Sequence, residues 1–120
     1  MTQQILLEID IPVKSEGNIH KHWIWVWHRK QAHRKAILAA FMNSPQKPTL
    51  PCEITFVRLS RRFLDHEDNL PFAFKLIKDC VADLLVPRRA PGRADGDKRI
   101  VWHYKQEKSK IKGYRIVFDF

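Results

Sequence analysis

Leu70, Ala73, Phe74, Ile77, Val81, Leu84 and Leu85 recur at helical spacing through NLPFAFKLIKDCVADLL, and this single stripe constrains the chain more than any other feature. A helix with one apolar face must bury that face against a core, so the remaining elements have to supply one. Its start is well signalled. Asp68 or Asn69 can accept from the free first-turn amides as an N-cap, and Pro71 is tolerated where those amides lack intrahelical partners. Pro87 stops the helix.

Just ahead of the stripe stands an acidic knot. Asp65, Glu67 and Asp68 place three carboxylates in four positions, in a chain whose formal net charge is +9. One explanation is helix capping, because carboxylates at the positive end of a helix dipole are stabilising by about 0.3–1 kcal/mol. A single aspartate suffices for that. The flanking Arg58, Arg61 and Arg62 suggest a second explanation, a phosphate chain met beside a divalent cation. Magnesium favours few carboxylates, retained waters and phosphate oxygens. Lys75 lies seven residues after Asp68, about two turns and roughly 10 Å of rise along the helix. Acid and base are thus offered at the same end.

The charge balance points the same way. Twenty-two Lys plus Arg against thirteen Asp plus Glu, in 120 residues, is the balance expected of a partner for a polyanion. The length fits one domain, residues 1–120, closing one core. Cys52 and Cys80 are far apart and form no C-x-x-C pair, so both are expected as reduced, buried thiols of a cytoplasmic protein. No apolar run reaches membrane-spanning length, and MTQQILLEIDIP lacks a basic leader region.

In chain order, Ile5, Leu7, Ile9 and Ile11 alternate as a first strand ending at Pro12. A polar loop over Lys14–His20 follows. Trp23, Trp25 and Trp27 alternate as in a strand, but Trp23, Val26, Trp27, Ile37, Leu38 and Phe41 fit the apolar side of a helix, which is expected from about Ile24 to Met42 with Arg29, Lys30, Arg34 and Lys35 as a basic face. The interleaved aromatics suit base stacking as well as a core or a dimer interface. His20 and His22 alternate like a metal pair, but no third ligand stands near them in sequence. Asn43–Pro51 is a proline-rich loop. Cys52–Leu59 alternates as a second strand that delivers the chain to the acidic knot. Beyond the central helix, PRRAPGRADGD is a basic loop ending in Asp95 and Asp97. Arg99–Tyr104 and Tyr114–Phe120 are expected as an antiparallel pair joined through Lys105–Lys112.

Asp95 ends that loop just before a strand. If that strand lies beside the one ending near Leu59, its carboxylate arrives next to Asp65 and Asp68, and acids from separate elements share one metal pocket. The competing reading is a plain D-G turn.

The run LDHEDNLPFAFKLIKDCVADLL followed by GRADGDKRIVWHYKQEK resembles the RusA family of Holliday junction resolvases, especially phage-encoded relatives, and HWIWVWHRK is similar to a segment of those relatives. The resemblance implies a small α+β domain with a mixed β-sheet packed by two main helices. It also implies a homodimer on branched DNA that nicks four-way junctions with magnesium, or manganese in its place. Asp68 matches the family's aspartate before Asn-Leu, and Asp95 matches that of the downstream turn. Asp65 is the other expected ligand, with Asp97 in reserve. His66 departs from the shorter acidic motif, so either Asp65 or Glu67 fills that place. Lys75 stands further along than the family's lysine, with Phe72 at the matching position, and is expected to assist at phosphate. Arg58, Arg61, Arg62, Arg29, Lys30 and Arg34 are expected on the DNA backbone. The alternative is a basic DNA-binding protein without chemistry.

Overall fold

The computed structural model describes residues 3–13, 23–64, 69–87 and 94–120, and the loop Lys14–His20 and the knot at 65–68 lie outside them. The strands are β1 (Gln4–Ile9), β2 (Cys52–Ser60), β3 (Ile100–Lys108) and β4 (Gly113–Asp119), and the helices are α1 (Trp23–Asn43), α2 (Asn69–Ala73) and α3 (Lys75–Leu85). A single 3-10 turn at Ala94–Gly96 precedes β3. The result is a small α+β domain around one mixed sheet, as expected.

The sheet order is β1-β4-β2-β3, with β4 antiparallel to both β1 and β2 and β3 parallel to β2. The expected antiparallel pairing of the last two strands is therefore wrong. Parallel strands need a long crossover, and α2 and α3 supply one between β2 and β3. The chain then steps over the end of β2 to reach β4, and Ser109 N–H donates to the Ser60 carbonyl at 3.0 Å as it passes. Crossing one strand means covering about 10 Å between β3 and β4. Ser109–Lys112 manages this as a short turn, and the strand expected to end at Tyr104 continues to Lys108.

One face of the sheet carries the core. Ile5, Leu7 and Ile9 of β1, Tyr114, Ile116 and Phe118 of β4, and Ile54 and Phe56 of β2 are all buried, because period-2 alternation puts them on the same side. Phe56 stacks on Phe74 at a 5.0 Å ring separation and on Trp102 at 5.6 Å. Cys52 and Cys80 are buried free thiols. The opposite face carries rows such as Glu8, Arg115, Val57 and Lys105 across the four strands. At Gly113 the backbones of β4 and β1 approach so closely that a Cβ would stand 2.5 Å from the Ile9 carbonyl oxygen.

The expected central helix exists, but it is broken. Pro71 offers no amide, Phe74 N–H closes a tight turn onto the Pro71 carbonyl at 3.2 Å, and Phe74 itself leaves helical geometry with φ −91 and ψ 4. Leu70, Phe74, Ile77 and Val81 are buried as the stripe predicts. The break makes Lys75 the first residue of α3.

The apolar face of α1 is largely not the expected one. Trp23, Trp25 and Trp27 are 71%, 64% and 50% exposed, and Leu38 is 43% exposed. His33 and Ile37 are the residues α1 buries, with Ala36, Ala40 and Phe41 packed beside them. Small residues let α1 approach β1 and α3, while its three tryptophans stay on the outer side. The Lys47 ammonium donates to the carbonyls of Phe41 and Ser44 past the end of α1, where a cation suits the negative end of the dipole.

Candidate functional site

The acids and the lysine meet where α3 packs against the 3-10 turn. Lys75 Nζ lies 3.8 Å from Asp79 Oδ1 and 3.9 Å from Asp95 Oδ2. The two carboxylate oxygens therefore stand no further apart than the sum of those distances. Asp79 is four residues after Lys75, so one helical turn aligns them; Asp95 arrives from the turn. Lys75 remains open to solvent, while both carboxylates are mostly covered.

Asp79 is the unusual member. Its Oδ1 is enclosed and accepts no hydrogen bond among the described residues. Burial pushes its carboxyl above the ordinary value; Lys75 pulls it back, and the charge of Asp95 adds to the rise. Lys30 of α1 also pulls it down, so the basic face of α1 stands within electrostatic reach of this group. Sequence reasoning missed Asp79, although its position four residues after Lys75 was the signal.

Trp102 places Asp95. Its indole Nε1–H donates to the Asp95 carbonyl at 3.2 Å, and Lys78 Nζ lies over the ring, 5.2 Å from its centroid. Further along the same side of β3, Gln106 holds Leu64 from both directions, accepting from its N–H at 2.8 Å and donating to its carbonyl at 2.9 Å. Residues of alternating register on one strand face are about 7 Å apart, so Trp102, Tyr104 and Gln106 form a short track. Asp95 is anchored at one end of it, and the last described residue before the acidic knot at the other.

Asp97 is placed differently from Asp95. It is buried, and its carboxylate accepts from Arg99 Nε at 3.0 Å and Nη2 at 2.8 Å, and from the Arg99 backbone N–H at 3.0 Å. It thereby closes the turn into β3. The turn reading of the ADGD segment therefore holds, since Asp97 N–H also bonds to the Ala94 carbonyl at 3.1 Å. Asp65, His66, Glu67 and Asp68 lie outside the described residues, as do His20 and His22. Among the described residues no three of His, Cys, Asp and Glu gather as a metal-holding group.

The expected DNA-binding cations divide in two. Arg58 is an internal clamp, its Nε donating to the Val13 carbonyl at 3.3 Å and Nη1 to the Arg62 carbonyl at 2.7 Å. Burial lowers its pKa below the usual arginine value. Arg61 and Arg62 are exposed, and Arg61 joins Lys108 and Lys110 around an open depression beyond the end of β2. On α1, Arg34 and Lys35 are exposed and Arg29 and Lys30 half-buried, and the helix carries no acid at all.

A cleft of about 160 Å³ runs beside Lys75, between α1 and the α2–α3 segment. His33 lines it, and its Nδ1 meets the Tyr114 hydroxyl at 2.8 Å. Burial, helped by the charge of Arg29, lowers the His33 pKa to about 4. Burial raises that of Tyr114, so near neutral pH the bond joins an uncharged imidazole to an uncharged phenol.

No helix among the described residues is long and apolar enough to cross a membrane. Comparison of the chain with protein-family models, with curated proteins and with solved structures finds no match.

Proposed function

We propose that this protein is a magnesium-dependent, structure-selective endodeoxyribonuclease that cuts branched DNA such as four-way junctions, working as a homodimer. The observation that carries the reading is the pair of carboxylates, Asp79 and Asp95, set on either side of Lys75 in a strongly basic chain. An enclosed carboxylate oxygen without a hydrogen bond is a poor arrangement for packing alone and a good one for a cation. The donor set suits magnesium, with Asp79 and Asp95 as oxygen ligands and Asp65 and Asp68 as the further acids that the RusA resemblance implies.

A bound magnesium supplies charge stabilisation at a phosphoryl oxygen and an acidified water. The chain does the rest. Lys75 sits between the two carboxylates, exposed enough to reach a phosphate and to offset charge that develops on it. The carboxylates hold the ammonium in place. The cations of α1 and of Arg61 and Arg62 orient the DNA backbone, which carries no sequence information by itself.

The test is nicking of a synthetic four-way junction in magnesium, wild type against Asp95→Asn and Asp79→Asn. Magnesium-dependent nicks that both variants lose, with DNA binding kept or tightened, are the expected result. Binding that ignores magnesium and both substitutions, without nicking, would replace this reading with that of a DNA-binding protein without chemistry. The all-cationic α1 supports that second reading.

A further inference from the structure

We propose that the cleft beside Lys75 is a base pocket, seating a single six-membered aromatic ring, a pyrimidine swung out of the DNA, while its phosphate lies against the Lys75 ammonium. This inference takes its nucleic-acid partner from the nuclease reading above. Size comes first. A cavity of about 150 Å³ lined by aliphatic side chains accommodates benzene, and this cleft measures about 160 Å³. One ring fills that space, and the fused rings of a purine would have to extend past it into the open mouth of the cleft.

The lining matches a ring with one polar edge. Val13, Ala73, Leu76 and Ile77 make the walls largely apolar, with Arg29 also in the lining. Phe72, 59% exposed, stands at the rim as a face on which an entering base can stack. Lys75 shares that rim. At the deep end His33 is 3% exposed, with its Nδ1 against the Tyr114 hydroxyl. With Nδ1 engaged by Tyr114, Nε2 is the ring nitrogen that remains for the polar edge of a base. Pyrimidine edges offer carbonyl oxygens to an imidazole N–H and N–H groups to an unprotonated ring nitrogen, so either tautomer of His33 finds a partner. Extruding a base costs a few kcal/mol, least at an unpaired or strained position, and a branch point in DNA provides such positions.

Two measurements test the proposal. In the first, thymidine monophosphate and deoxyadenosine monophosphate are titrated separately onto the wild-type protein while the His33 ring signals are followed by NMR. Thymidine monophosphate should shift them at concentrations about tenfold lower. In the second, a four-way junction carries a fluorescent cytosine analogue at each position flanking the branch and is bound in EDTA. Emission should rise at one position with wild type and stay flat with Ala73→Leu, whose longer side chain fills the cleft. Equal responses to the two nucleotides, or no emission change at any position, would overturn the pocket. Nicking that persists in that event leaves the nuclease reading intact. A pyrimidine-selective response without magnesium-dependent nicking keeps the pocket and removes the nuclease.

Discussion

Lowering the pH should destabilise this fold through His33 well before most carboxylates titrate. The imidazole is buried and bonded to Tyr114, and its folded pKa is about 4 against an ordinary 6.5. The folded state thus binds the proton less readily than the unfolded chain. The associated stability is fully present above the unfolded value and is lost as the pH falls from there through the folded value. Between pH 7 and pH 5 the loss comes to about 2 kcal/mol, since each unit of pKa difference is worth about 1.4 kcal/mol and roughly one and a half units are crossed. In urea denaturation followed by tryptophan fluorescence, that lowers the midpoint by roughly 1 M. His33→Asn is the control, because the asparagine amide can meet the Tyr114 hydroxyl near the Nδ1 position and does not titrate. Its stability should change by less than half as much over the same interval. Parallel losses in the two proteins would show that His33 is not the group responsible, and the burial argument for it would fail.

Asp79→Asn should melt no lower than wild type, because it removes a carboxylate that burial already disfavours in its charged form, and a thermal scan beside the nicking assay checks both. Gly113→Ala should cost about 1–3 kcal/mol by chemical denaturation, since the new methyl group meets the backbone of β1 and not a side chain that can swing away. DNA affinity should fall linearly in a plot of log affinity against log salt, and Lys35→Ala should make that slope shallower by about 0.9 if the exposed lysine neutralises one phosphate. An unchanged slope would take α1 out of the interface.

Much of this arrangement is legible in the chain itself, for reasons that differ by element. Alternation made β1 and β2 plain, and the stripe from Leu70 to Leu85 marked the helical segment to within its break. The break at Phe74 was hidden because Pro71 is equally at home in the first turn of a continuous helix. The partner of β3 was misjudged because a short connection suggests a hairpin, whereas pairing depends on the crossover that precedes the strand. Bulk misled the reading of α1, where His33 and small alanines face the core and three tryptophans do not. At the site, Asp95 and Lys75 were anticipated and do meet. Asp79 was not, because its role depends on the turn that lies against α3. Arg58 was taken for a phosphate contact, and only its bonds to two carbonyls reveal a clamp.

The track along β3 carries a rule about length. Trp102 and Gln106 share one side of the strand, so inserting or deleting a single residue between them would turn one of the two anchors to the opposite side. Removing a pair would keep both on the same side and only draw them about 7 Å closer. Tolerance of indels in this stretch should therefore follow parity, odd changes being the damaging ones.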